Sequence, residues 1–209
     1  MQQLDASSKR GIFIVNLTPE QVEQHNKLYT EAWKLITGEI NLDGQEIPKP
    51  NWLTRLRLNK AKALFEKTIV INPAGWNAMF AIGKIEQRLG HKQEAFDWLL
   101  KAREFEPQNT SLAKEASLTA AQLGMHEMAA RIVDEAIELN PTDPALRVNS
   151  GLAHILAGHC EIAAERFAEA SRLEPSSELN RKLEVFAGKV STGVLPVPKT
   201  EADIIKFVK

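Results

Sequence analysis

Apolar residues recur along most of this chain at the three-to-four residue spacing of amphipathic helices, and the helical stretches are broken at a fixed interval. Pro73, Pro107, Pro141 and Pro175 each follow the last by 34 residues, and Ala61, Ala95, Ala129 and Ala163 keep the same step. Gly90, Gly124 and Gly158 form a third series on the same ruler. A period in this range means stacked copies of one supersecondary unit. With the prolines placed at position 32, three full units run over residues 76–109, 110–143 and 144–177.

Each unit reads as a helix–turn–helix. The glycine at position 15 supplies the left-handed residue that ends the first helix. The proline stops the second, because it lacks an N–H and restricts the residue before it. New caps follow at Asn109 or Thr110, at Asp143 before Pro144, and at Ser176 or Ser177. Small residues occupy position 8 (Gly83, Ser117, Gly151), position 20 (the alanine series) and position 27 (Thr68, Ala102, Ala136, Ala170). They let two antiparallel helices approach closely. Large apolar residues at position 24 (Phe65, Leu99, Val133, Phe167) and position 30 (Ile71, Phe105, Leu139, Leu173) are expected to fill the space beside that contact.

The ends depart from the ruler. Residues 1–17 read as an extended segment, and residues 11–15, Gly-Ile-Phe-Ile-Val, are the most apolar short run of the chain. Residues 18–75 read as a degenerate helix pair with an enlarged loop: Thr18, Pro19 and Gln21 start one helix with a capping box, Gly38 stops it, and a second runs from Trp52 to Ile71. A capping helix is expected over 178–190, since a stack needs its last apolar face covered. Residues 191–209 give a linker and a short final helix from Glu201 to Val208.

This series of small, large and breaking positions, clearest in Gly83, Ala95, Leu99, Ala102 and Pro107, resembles the tetratricopeptide repeat (TPR) family. The resemblance covers roughly residues 51–190. At positions 4, 7 and 11, where the family prefers Trp, Leu and Tyr, the chain has Met79, Ile82 and Glu86 in its first unit and departs further in the next two. The resemblance implies an all-α fold, a right-handed superhelix of antiparallel helix pairs, that is, a TPR-like α-solenoid. It also implies a protein-interaction module, an adaptor, assembly factor or chaperone-like protein. Its partner would be a protein or peptide, bound on a concave face lined by the first helix of each unit. Carried over position by position, that groove would use Asn77, Phe80, Lys84 and Arg88, then Lys114 and Leu118, then Val148, Asn149, Leu152 and Ile155. It would be basic at the Lys84, Arg88 and Lys114 end and apolar at the other. The family's clamp for a C-terminal carboxylate is missing, because its positions hold Phe80, Lys84, Glu115, Ala145 and Asn149.

Composition narrows the function further. The chain has 209 residues, 25% charged, with a net charge of −1, so it lacks the basic excess of nucleic-acid binders. The local run Arg55, Arg57, Lys60, Lys62 and Lys67 against Glu66 reads as a solvated helix face. No apolar run nears the ~20 residues that span a bilayer, and no signal peptide is legible, which points to a cytoplasmic protein without membrane contact. The five histidines are scattered, and His154 and His159 are five apart, which is not a same-face spacing. With one cysteine, Cys160, and no nucleotide or nucleophile motif, the reading is no enzyme, no cofactor and no metal. The alternative is a self-associating scaffold, a homodimer through terminal segments, in which residues 11–15 or 201–208 occupy the protein's own or a neighbour's groove.

Overall fold

A computed structural model describes residues 17–40 and 48–208. The apolar run at 11–15 and most of the enlarged loop, residues 41–47, lie outside the described residues. The rest is all-helical: α1 (Pro19–Ile36), α2 (Trp52–Ile71), α3 (Trp76–Leu89), α4 (Lys92–Phe105), α5 (Thr110–Gln122), α6 (His126–Leu139), α7 (Pro144–Ala157), α8 (Cys160–Leu173), α9 (Glu178–Ser191) and α10 (Glu201–Val208).

The helix boundaries follow from local chemistry. Thr18 and Gln21 form the capping box of α1, each side chain accepting from the other's backbone N–H. Asn51, Asn109, Asp143 and Ser177 cap α2, α5, α7 and α9 through side-chain oxygens. Gly90, Gly124 and Gly158 adopt φ of 90°, 79° and 89°, the left-handed turn that position 15 requires.

The helices fall into two compact units, one ending at Leu89 and the other beginning at Gly90. In the first unit α1 packs on α2 and α2 on α3. Tyr29, Trp33 and Phe65 meet edge to face, with centroids 5.5–6.2 Å apart, and Phe65 is fully buried. Three cations of the basic run are engaged here: Arg57 with Glu39 at 2.8 Å, Lys60 with Glu31 at 3.5 Å, and Lys62 with buried Glu86 at 2.6 Å.

In the second unit each helix from α4 to α9 packs on the next, and α10 packs on α9. The small positions behave as their size demands. Across both units Ala61, Ala95, Ala129 and Ala163 are fully buried, as are Thr68, Ala102, Ala136 and Ala170. A Cβ added at Gly151 would lie 2.7–2.9 Å from the ring of Phe167, so α7 touches α8 at the position where a side chain is missing. Ser117, at the same position of its repeat, is accommodated by donating to the Ala129 carbonyl at 2.9 Å. Position 24 is buried throughout. Position 30 differs from expectation: Leu139 and Leu173 are 43% and 41% exposed, because they sit in the last turn of their helices, at the rim of the inter-helix contact.

Candidate functional site

The groove residues expected from the sequence fall on α3 in the first unit and on α5 and α7 in the second. On α3, Asn77 is exposed and Phe80 half-buried. Lys84 is buried. Arg88 donates from Nε to the Glu39 carbonyl at 2.9 Å and from its guanidinium to the Pro48 carbonyl, fastening α3 to the α1–α2 connection. Lys114 on α5 pairs with Asp143 at 2.5 Å. Two of the side chains expected to make one end of the groove basic, Arg88 and Lys114, are therefore engaged within their own units.

The apolar residues on α5 and α7 have a different fate. Leu118, Asn149 and Leu152 line one hollow together with Ser117, Ala121, Ala153 and Leu156. Glu201, the first residue of α10, completes its lining. The remaining space, about 30 Å³, is that of a single water. Further along, Ile155 is fully buried rather than groove-lining, in a cluster that holds Phe167, Leu183, Phe186, Val190 and, from α10, Ile204. Val148, Leu152 and Leu156 pack against that cluster. Phe207 stacks on Phe186 with centroids 5.2 Å apart. A short apolar helix from the same chain thus packs on α9 and reaches Ile155 of α7, while Leu118 on α5 stays 44% exposed.

Local sequence explains why α10 forms. Thr200 and Asp203 bond reciprocally, Asp203 N–H donating to Thr200 Oγ1 at 3.3 Å and Thr200 N–H to Asp203 Oδ2 at 3.1 Å, a capping box at the helix start. The Asp203 carboxyl is held below its usual range chiefly by the Thr200 hydrogen bond and then by Lys206. Only Ile204 of the helix is buried, and Ile205 and Phe207 are about half exposed.

A polar cluster behind this face was not expected. Asp134 on α6 accepts from Ser150 Oγ at 2.6 Å and contacts His154 Nε2 at 2.8 Å, with Arg166 Nε 3.7 Å away. His154 and His159 meet through their Nδ1 atoms at 3.1 Å. The left-handed residue Gly158 folds the chain back, so residues five apart come together across the turn rather than along one helix face. Burial works against the charge on Asp134. The hydrogen bonds from His154 and Ser150, with the charges of His154 and Arg166, outweigh it and hold this carboxyl below its usual range. The order of groups matters chemically. Ser150 donates to the carboxylate rather than to an imidazole, so this is a structural tie among α6, α7 and α8 and not a primed nucleophile. Among the described residues there is no group of three or more His, Cys, Asp or Glu side chains placed to hold a metal. No described helix is long and apolar enough to cross a membrane.

No family model matches the chain. Over 120 residues, 56% of its length, it is 29% identical to human tetratricopeptide repeat protein 7B, and the match spans 14% of that protein. Among solved structures it is similar to MamA, in a crystal structure 14% identical that matches at TM-score 0.68 over 83% of this chain and 85% of that one. It is also similar to YrrB, described as a TPR protein with an unusual peptide-binding site, 20% identical at TM-score 0.59 over 78% of this chain and 84% of that one. The helix pairs have the fold of tetratricopeptide repeats. The TPR fold accounts for the whole ruler of alanines, glycines and prolines, and the architecture is an all-α TPR-like α-solenoid. Beyond the repeats, the chain adds α10, which packs on α9 beside Ile155 of α7.

Proposed function

We propose that this chain is a non-enzymatic protein-interaction module, an adaptor or assembly factor. Its second unit would take up an apolar helical segment of a protein partner on the α5, α7 and α9 face. The observation that carries this reading is the seat of α10. A short amphipathic helix already rests there, with Ile204 buried among Ile155, Leu183, Phe186 and Val190. The fold likeness to a protein described as having a peptide-binding site agrees with this role.

α10 is a suitable placeholder because its hold is modest. Burial of Ile204 contributes about 2 kcal/mol, and half-exposed Phe207 adds about 1 kcal/mol. The nine residues between α9 and α10 keep the helix at a local concentration on the order of millimolar. A partner presenting two or three well-buried apolar side chains at helical spacing would displace it. Because the linker carries Gly193, Pro196 and Pro198, the same helix could also exchange between two copies, which is the form that self-association would take.

The test uses the full chain carrying Ile204→Asp, which releases α10 without shortening the protein, and a fluorescein-labelled peptide of residues 199–209. The expected result is binding to the variant with at least a tenfold weaker affinity for the unmodified chain, whose own helix competes. Equal binding to both, or none to a folded variant, would refute the proposal.

A further inference from the structure

A second surface lies beside α10, away from the α5–α7 hollow. Between α9 and the C-terminal segment runs an open cleft of about 500 Å³. Its walls are apolar: Val185 and Phe186 from α9, Leu195 from the linker and Phe207 from α10. Val185 is 59% exposed and Phe207 50%, so this apolar surface faces water. α9 is the last helix of the stack, and no further repeat follows among the described residues to cover it.

The rim is cationic. Arg181, Lys182 and Lys189 border the cleft, and Glu178 is its one carboxylate. Glu178 is committed to Lys182 at 2.9 Å, which holds its carboxyl below the usual range. Arg181 and Lys189 are exposed and make no ion pair among the described residues. The chain as a whole carries a net charge of −1, so this local excess is not an overall trend.

We infer that the cleft between α9 and the C-terminal segment docks an acidic linear segment of a protein partner, which inserts one bulky apolar side chain. The apolar walls supply the driving force for the inserted side chain. The excess of cations over the single carboxylate Glu178, which Lys182 and, at longer range, Arg181 stabilise, selects carboxylates beside it and favours their approach. A basic segment is rejected by like charge, and a segment without a large side chain leaves the walls wet.

The cleft and the α5–α7 face respond oppositely to loss of α10. Releasing the helix frees the α5–α7 face but removes the Phe207 wall of the cleft. Failure of one reading is therefore distinguishable from failure of the other.

The test is fluorescence anisotropy on the full chain with a fluorescein-labelled peptide of sequence EDDFLDEE. Peptides EDDGSDEE and KRRFLRKK serve as controls. The expected result is binding at least tenfold tighter than either control, weakening as salt rises. Arg181→Glu with Lys189→Glu should lose at least tenfold, and circular dichroism checks that this variant is folded. Ile204→Asp should also weaken it, while Val70→Glu, at an exposed position of α2 in the first unit, should leave it unchanged. Affinity unaffected by the charge reversal, equal affinity for the peptide without Phe and Leu, or no binding at about millimolar peptide would each overturn the inference. A fall in light-scattering mass on charge reversal would overturn it too, by showing that a second copy occupies the cleft.

Discussion

The contact between α7 and α8 makes a prediction in which one substitution has opposite signs at two sites. Gly151 lies inside α7, where alanine is intrinsically favoured over glycine by about 1 kcal/mol. In this packing, however, the new Cβ would sit 2.7, 2.8 and 2.9 Å from three ring carbons of Phe167. Real contacts of that kind begin near 3.5 Å, so the ring or the helix must yield. Phe167 is fully buried, in a cluster with Leu183 and Phe186, and has no open side to turn toward. Overpacking of this kind costs about 1–3 kcal/mol. Against the helix-propensity gain, Gly151→Ala should destabilise the second unit by about 1 kcal/mol, at most 2. Gly188 in α9 has nothing within 4 Å of its added Cβ. Gly188→Ala should therefore stabilise, by up to about 1 kcal/mol. Urea unfolding followed by far-ultraviolet circular dichroism measures both. Phe167→Leu introduced with Gly151→Ala should recover part of the loss, giving a coupling that a double-mutant cycle reads directly. If Gly151→Ala stabilises as Gly188→Ala does, the helices do not approach at the small positions, and the packing account of the repeat fails.

Two further predictions concern charge and capping. The carboxyls of Asp134 and Asp143 are held low in the folded chain, in each case against burial: Asp134 by its bonds to His154 and Ser150, Asp143 by Lys114 and the backbone N–H groups of Ala145 and Leu146. A folded pKa below the unfolded value of about 3.9 means a contribution fully present above that value and lost as pH falls through the folded one. Urea midpoints should thus drop as pH is lowered below about 5, and Asp134→Asn should flatten that dependence; an unchanged slope would count against the cluster. Asp143→Ala removes the cap of α7, where Oδ1 accepts from Ala145 at 2.8 Å and Leu146 at 3.3 Å. It should cost about 1 kcal/mol at neutral pH, whereas Asp143→Asn, which keeps the cap, should cost less.

The helices and their contacts were legible because their determinants are local and repeated. Ala95, Ala129 and Ala163 had to be small and Phe167 large for one geometric reason, and each copy of the pattern corroborated the others. The same holds for Gly158, where the turn needs positive φ, and for Asp143, which caps whatever helix follows it. What escaped the sequence was long-range address. Glu201 to Val208 could be read as an amphipathic helix, but its seat beside Ile155 and Phe186 depends on surfaces about 15–50 residues earlier. His154 and His159 looked unrelated at a spacing of five because periodicity along a helix does not carry through the Gly158 reversal. Arg88 and Lys114 read as free groove cations, yet the nearest acceptors, the Glu39 and Pro48 carbonyls and the Asp143 carboxylate, belong to segments that only folding brings close.

The central functional claim is that α10 seats against the edge of the α5–α7 hollow, which Glu201 and Leu152 line together. A chain with Cys160→Ser, Leu152→Cys and Glu201→Cys, treated with a short bis-maleimide, tests this directly. The account predicts rapid cross-linking within a single chain, abolished by Ile204→Asp. No cross-link in the folded protein, or one that Ile204→Asp leaves intact, would contradict it.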